Sequence, residues 1–170
     1  SEFTETEKSK IFDNEDFGFT KITIERPLRL KFEVTDERIE NLKLEKVFSE
    51  LAVSKKTKPT EKLQEEQEGK KLQKQIVESL KLIDKIHKDR KEFLKELKTK
   101  FDKNKIDLSS QLINAIINVI VEHDDTAVIC RDNKGNIEPD SNLRDNESIP
   151  LKHNIQEYFK KEVLPYLPDA

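Results

Sequence analysis

The stretch from Glu61 to Phe101 constrains the fold of this chain most, because it is the longest run of helical periodicity. It contains no proline and one glycine, Gly69, and its apolar residues recur at the three- and four-residue spacing of one helix face. These residues are Ile76, Leu80, Ile83, Leu94, Leu97 and Phe101, flanked by Leu72, Ile86 and Phe93. A face this broad is typical of a helix that packs onto other helices within one domain.

Two features interrupt this periodicity near the middle of the stretch. Polar residues occupy the face at His87 and Arg90. Asp89 followed three positions later by Glu92 forms a capping-box pattern, which marks the start of a helix. We therefore predict two helices with a joint near Lys88 rather than one continuous rod.

Three further helix starts carry side-chain caps, at Thr35, Ser109 and Asn154. The first of these helices is predicted to continue to about Ala52, and Pro165 stops the last. The helix after Ser109 is apolar around nearly its whole circumference, so we expect it to be the buried centre of the helical domain.

Alternation of apolar and polar residues at 21–26 and 28–34, on either side of Pro27, predicts two short strands. We expect a hairpin-like pair there, and we expect the aromatic residues of the loop at 11–19 to be buried. A further short strand is predicted at 127–130, followed by a turn at 132–136.

These elements predict a mainly α fold. It consists of a helical bundle domain, a short hairpin-like N-terminal segment and a small strand, loop and helix at the C-terminal end. The predicted division is a disordered tail at 1–10, a strand pair at 11–34, a helical domain at 35–124, and a strand, polar loop and short helix at 125–170. Methionine is absent, even at Ser1, so we expect an excised piece of a larger protein.

Charge is divided unevenly along the chain. Residues 55–105 carry 17 Lys and Arg against 10 Asp and Glu, whereas the flanking segments are acidic. Four lysines recur every seven residues opposite the apolar face: Lys74, Lys81, Lys88 and Lys95. On a helix they would form a stripe able to contact DNA phosphates without reading sequence. A solvated helix face is the alternative explanation.

Several other kinds of site are disfavoured by the sequence. The three glycines are isolated, so no glycine-rich nucleotide loop exists. His87, His123 and His153 lack zinc-site spacing, and the acidic pair after His123 is explained by a helix end and a polar turn. Cys130 is the single cysteine, so it forms no internal disulfide. We predict no catalytic, cofactor-binding or metal-binding residue, no membrane span and a cytoplasmic location.

Two blocks of sequence carry a resemblance to a known family. The first is Ile11-Phe12-Asp13-Asn14-Glu15-Asp16-Phe17-Gly18-Phe19, which runs into Lys21-Ile22-Thr23-Ile24-Glu25-Arg26-Pro27-Leu28-Arg29-Leu30. The second comprises Ile129-Cys130-Arg131-Asp132, Gly135-Asn136, Glu138-Pro139-Asp140, Leu143-Arg144-Asp145, Glu147, Ile149-Pro150-Leu151, Tyr158-Phe159 and Glu162-Val163-Leu164-Pro165. Both resemble the modification (M) subunit of type I restriction–modification systems, in the region after its methyltransferase core. Together the blocks cover about a third of the chain and bracket the helices.

The resemblance implies a parent enzyme that transfers a methyl group from S-adenosylmethionine to adenine in double-stranded DNA. It would act with a specificity subunit and a restriction subunit. The family's Asn-Pro-Pro-aromatic motif and glycine-rich cofactor loop do not occur in this chain, so no catalytic or cofactor residue is carried over. Three roles remain for this segment: bracing of the specificity subunit, clamping of DNA, and stabilisation of the M subunit itself. The alternative is a free-standing helical or coiled-coil interaction module that pairs through Leu72 to Phe101.

Overall fold

The computed structural model describes residues 10–170, which form two compact units. One unit combines the chain up to Leu28 with Arg131–Ala170, and the other is Arg29–Cys130. The division predicted from the sequence follows chain order, whereas the first of these units joins the two ends of the chain. Apart from Lys10, the predicted disordered tail lies outside the described residues.

The fold is mainly α. Residues 10–170 contain six α-helices: α1 (Asp36–Leu44), α2 (Lys46–Ser49), α3 (Pro59–Lys81), α4 (Arg90–Lys103), α5 (Ser110–Ile120) and α6 (Ile155–Tyr158). Side-chain oxygens of Thr35, Asp89, Ser109 and Asn154 accept hydrogen bonds from backbone amides in the first turns of α1, α4, α5 and α6, as predicted. A π-helical segment, Phe159–Val163, extends α6.

The predicted joint within the central stretch is confirmed, because α3 ends at Lys81 and α4 begins at Arg90. The connection is held in place by backbone pairing. His87 donates to the carbonyl oxygen of Phe32 at 2.9 Å and accepts from its amide at 2.8 Å. Its ring is buried and meets Phe93 edge-on. His87, which the sequence marked as a polar interruption, therefore belongs to the core.

The helix predicted to run from Thr35 to about Ala52 is broken, which corrects that prediction. Glu45 is extended, with ψ of 131°, and separates α1 from α2; a 3-10 turn, Glu50–Ala52, follows. Ile39 and Phe48 are nine residues apart, so a continuous helix would place them on opposite faces. The break lets both side chains enter the core, where each is 2% exposed.

Helix α5 is buried on one face only, which corrects the expectation of a helix surrounded by core. Leu112, Ala115, Ile116 and Ile120 are buried, and α5 packs on α1 and α2. The opposite side exposes polar residues, namely Gln111, Asn114 and Asn118. The remaining core of this unit is assembled from helices and one strand, and includes Phe32, Leu42, Ile76, Leu80, Phe93 and Leu97.

The strands pair over long distances in the chain, so the expected hairpin-like pair is wrong. Strand β1 (Phe19–Ile24) pairs antiparallel with β4 (Asp145–Pro150). Strand β2 (Leu30–Phe32) pairs antiparallel with β3 (Val121–His123). Pro27 lies between β1 and β2 and forms an isolated bridge with Pro139. Proline has no backbone amide to donate to a strand ladder. The chain pairs with β4 before Pro27 and with β3 after it.

Three smaller expectations for the strands and loops have different outcomes. The predicted strand at 127–130 is wrong, because this segment contributes only an isolated bridge between Ile129 and Arg29. The turn at 132–136 is confirmed by a hydrogen bond from the amide of Asp132 to the carbonyl oxygen of Asn136 at 2.9 Å. The expected burial of the aromatic loop is wrong, since Phe12, Phe17 and Phe19 are each more than half exposed.

Candidate nucleic-acid interface

One face of α3 presents three lysines. Lys70, Lys74 and Lys81 are separated by four and seven residues, so they lie close to one line along the helix. All three side chains are exposed. This face is the exposed counterpart of the buried face that carries Ile76 and Leu80.

An open groove runs beside this face, between α3 and the segment that contains α1 and α2. Its volume is about 670 Å³. Four lysines line it: Lys43, Lys70, Lys74 and Lys81. Apolar side chains also line it, namely Phe48, Ala52 and Val77. We refer to this feature, defined by its four lysines, as the basic groove.

Two contacts fix α3 against the opposite wall of the basic groove. At Gly69, a Cβ atom would lie only 1.8 Å from the carbonyl oxygen of Leu51, so only glycine allows the helix to approach this closely. The Gln73 side-chain amide donates to the carbonyl oxygen of Phe48 at 2.7 Å. The spacing between the two walls is therefore set by one close backbone approach, at Gly69, and one side-chain hydrogen bond, from Gln73.

Three of the four groove lysines already have a carboxylate partner. The Lys81 ammonium lies 2.7 Å from Asp36, and the Lys43 ammonium lies 2.6 Å from Glu40. Lys74 is 3.8 Å from Glu78. The hydrogen bond between Asp36 and Lys81 raises the pKa of the lysine and lowers the pKa of the carboxyl group. Each of these pairs is solvent-exposed.

Lys70 differs from the other three lysines of the basic groove. Within residues 10–170, no carboxylate lies within ion-pair distance of its ammonium. It is therefore the cation of the groove that an incoming anion reaches without displacing a described partner.

The four lysines of the predicted stripe fall into different surroundings. Lys74 and Lys81 lie in the basic groove, together with Lys43 and Lys70. Lys88 lies in the connection between α3 and α4, and Lys95 lies on α4, so neither lines this groove. The joint between the two helices separates the stripe into two parts.

Lys88 is also engaged within the chain. Its ammonium lies 3.2 Å from Asp124 and donates to the hydroxyl of Thr126. The pKa of Asp124 is lowered to about 2, first by the Thr126 hydroxyl and backbone amide and then by Lys88. Lys88 thus anchors the loop after β3.

Two groove residues were missed by the reasoning from sequence. Lys70 could have been found, since it precedes Lys74 by four positions and therefore shares its helix face. Lys43 belongs to α1, and its place beside α3 depends on the tertiary structure alone. No local pattern points to it.

A second groove, of about 330 Å³, lies between α4 and the segment that leads into α5. Apolar side chains dominate its lining: Leu94, Leu97, Phe101, Ile106, Leu108 and Ile113. We call it the apolar groove. Other apolar residues of the central stretch, including Ile76, Leu80 and Ile83, are buried within this unit and are not open to a partner.

Other chemistry finds little support in the part of the chain that the structure describes. No group of three or more His, Cys, Asp or Glu side chains converges there as a metal site requires. Cys130 is buried. None of the helices between Lys10 and Ala170 combines the length and apolarity needed to cross a membrane.

Comparison with known proteins gives no relative: no family model, no curated protein and no solved structure matches this chain.

Proposed function

We propose that this chain is a non-catalytic segment of the M subunit of a type I restriction–modification system. The parent enzyme would methylate adenine in double-stranded DNA with S-adenosylmethionine, in the cytoplasm, together with its specificity and restriction subunits. The segment would hold DNA or brace subunits while the target base leaves the duplex for the methyltransferase pocket. It would itself need no cofactor.

One observation carries this proposal beyond the sequence blocks themselves. Residues from the two blocks that resemble the family pair with each other within one compact unit, although more than 100 positions separate them. Strand β1 of the first block pairs with β4 of the second, and the Leu28 amide donates to the carbonyl oxygen of Glu138 at 2.8 Å. This pairing supports treating the two blocks as parts of one structural unit.

The basic groove supports the DNA-holding role. Four lysines line one groove beside α3, and contacts of lysine ammonium groups with backbone phosphates are independent of base sequence. Base recognition would then belong to the specificity subunit.

The test is a titration of the chain with a labelled duplex of arbitrary sequence at low and at moderate salt. We expect binding that weakens steeply with salt, because each neutralised phosphate contributes about −0.9 to the slope of log K against log[salt]. Replacing Lys70, Lys74 and Lys81 with Gln should lower the affinity and make the slope shallower by about 0.9 for each phosphate that is no longer neutralised.

Two further variants compare the basic groove with other cations of the chain. Lys160→Gln/Lys161→Gln removes exposed cations from the other unit and should leave binding almost unchanged. Lys88→Gln/Lys95→Gln tests the remainder of the predicted stripe, and a decrease in affinity equal to that of the groove variant would favour the stripe over the groove. Absence of binding at low salt would refute the DNA-holding role.

The family assignment has a separate test. The gene around this segment is expected to encode a glycine-rich cofactor loop and an Asn-Pro-Pro-aromatic motif upstream of it. A neighbouring coding sequence without either motif would refute the M-subunit proposal, whatever the result with DNA.

The apolar groove favours a second candidate function, that of a helical protein-interaction module. Leu94 and Ile113 line this groove and are only half-buried. If the chain associates with itself through it, Leu94→Glu/Ile113→Glu should abolish the association measured by light scattering. Leu63→Glu, at an exposed position of α3 away from the groove, should not. A monomer at all accessible concentrations would count against self-association.

A further inference from the structure

Three of the four groove lysines are paired with carboxylates, and this pairing affects which anions can bind. Asp36 pairs with Lys81, Glu40 with Lys43, and Glu78 with Lys74, while Lys70 is left without a described carboxylate. An anion that enters the groove therefore meets one available cation and three that are already paired.

These ion pairs can exchange partners at a low cost in free energy. The side chains of Asp36 and Lys81 are 85% and 53% exposed, so water can replace either partner at little cost. Glu78 follows Lys74 by four residues, which is the weaker order for such a pair on a helix. Asp36 lies in the first turn of α1, where the helix dipole still favours its charge after Lys81 leaves it.

A single small anion gains little at these lysines. Phosphate bound to Lys81 would replace one ion pair by another, so the exchange is close to neutral. A polyanion that engages Lys70 first holds its other phosphates at high effective concentration beside the paired lysines, and it releases its own counterions as each pair exchanges. The free-energy cost of breaking three lysine–carboxylate pairs is then offset by the binding of one polyanion.

We propose that Asp36, Glu40 and Glu78 are specificity-determining residues of the basic groove. They compete with incoming anions for the lysines, so that the groove accepts a polyanion such as duplex DNA and rejects isolated phosphate. This inference rests on the DNA contact proposed above, and it assigns a role to carboxylates that a purely basic site would lack.

The experiment compares the unaltered chain with the variant Asp36→Asn/Glu40→Gln/Glu78→Gln. Two probes are titrated: the labelled duplex, followed by fluorescence anisotropy, and inorganic phosphate, followed by NMR of the lysine side chains. The control Asp84→Asn/Glu92→Gln/Glu157→Gln removes the same charge from exposed positions that do not line the basic groove. Thermal unfolding by circular dichroism confirms that each variant is folded.

We expect the groove variant to bind the duplex about five-fold or more tightly, since each exposed pair contributes about a two-fold effect. It should also bind phosphate at the three released lysines, Lys43, Lys74 and Lys81, which the unaltered chain should not. The control should gain less than about two-fold, the effect of net charge alone.

Each result separates the two proposals. If the unaltered chain binds DNA through its lysines but the groove variant gains no more than the control, the competition is refuted and the DNA contact stands. If only the groove variant binds DNA, the carboxylates exclude the duplex as well as phosphate, and both the DNA contact and the proposed selectivity are refuted. If neither binds the duplex, both proposals fail.

Discussion

Gly69 and Leu51 are in backbone contact: a Cβ atom at Gly69 would lie 1.8 Å from the Leu51 carbonyl oxygen and 2.6 Å from the carbonyl carbon. The glycine in the middle of α3 therefore has a packing reason, although glycine weakens a helix by about 0.5–1 kcal/mol relative to alanine. The contact brings α3 against the Glu50–Ala52 turn and so sets one wall of the basic groove.

We predict that Gly69→Ala lowers the free energy of unfolding by about 1–3 kcal/mol, because a backbone atom cannot yield to the added methyl group. Gln67→Ala, at an exposed position of the same helix, is the matched control and should change stability by less than about 0.5 kcal/mol. Chemical denaturation measures both. A stabilised Gly69→Ala variant would show that α3 does not approach Leu51 this closely.

The end of α4 carries a lysine in a conformation that favours glycine. Lys105 has φ of 53°. The Lys105 amide donates to the backbone carbonyl oxygen of Asp102, and the Ile106 amide donates to that of Phe101. This pattern is a Schellman motif, in which glycine is the usual residue at the left-handed position. We predict that Lys105→Gly raises the free energy of unfolding by about 0.5–1 kcal/mol.

The control for this prediction lies within the same helix. Lys95→Gly, in the interior of α4, should lower stability by about 1 kcal/mol, because there glycine only adds backbone entropy to the unfolded chain. Thermal unfolding of both variants gives the comparison. A loss of stability in both would mean that Lys105 is not left-handed in solution.

The carboxyl group of Asp124 makes the free energy of unfolding depend on pH in the acid range. Its pKa is lowered from 3.8 to about 2, so its carboxylate contributes stability above pH 4 that is lost as the pH falls toward 2. We predict that the difference in Tm between the unaltered chain and Asp124→Asn is constant above about pH 5 and disappears between about pH 4 and 2.

The cause of this shift can be separated by NMR titration of the Asp124 carboxyl group. The Thr126 hydroxyl has the largest influence and Lys88 a smaller one. Thr126→Val should therefore raise the pKa of Asp124 more than Lys88→Met does. The reverse order would assign the shift to charge rather than to hydrogen bonding.

Arg26, two residues after β1, forms an ion pair with Asp169 in the same unit. Its Nε and one terminal nitrogen donate to the two carboxylate oxygens of Asp169, at 2.9 and 3.2 Å, and both side chains are about three-quarters buried. Lysine cannot form this two-pronged contact. We predict that Arg26→Lys lowers the free energy of unfolding by about 1 kcal/mol.

An exposed arginine pair in the same unit provides the control. Arg144 pairs with Glu25, and both side chains are more than two-fifths exposed. Arg144→Lys should change stability by less than about 0.5 kcal/mol. Equal effects in the two variants would show that the geometry at Asp169 adds nothing to ordinary charge pairing.

Three of the four lysines of the basic groove are accessible from the sequence. Lys74 and Lys81 were predicted, and Lys70 follows from the same helical spacing. Lys43 could not be found, because it reaches the basic groove only through the packing of α1 beside α3. Lys88 and Lys95 share the seven-residue repeat, but a repeat aligns residues only while the helix is continuous, and the joint at 82–89 ends that alignment.

The sequence by itself determined most of the helices and the starts of α1, α4, α5 and α6. Caps such as Thr35 and Asp89 accept hydrogen bonds from amides two or three residues away, and apolar spacing repeats over one or two helical turns. Both signals can therefore be read from a short stretch of sequence. Tertiary structure alone decided the strand partners and the break at Glu45. The polar strand β4 illustrates the reason: its state depends on pairing with β1, more than 100 residues away, and no local pattern encodes such a partner.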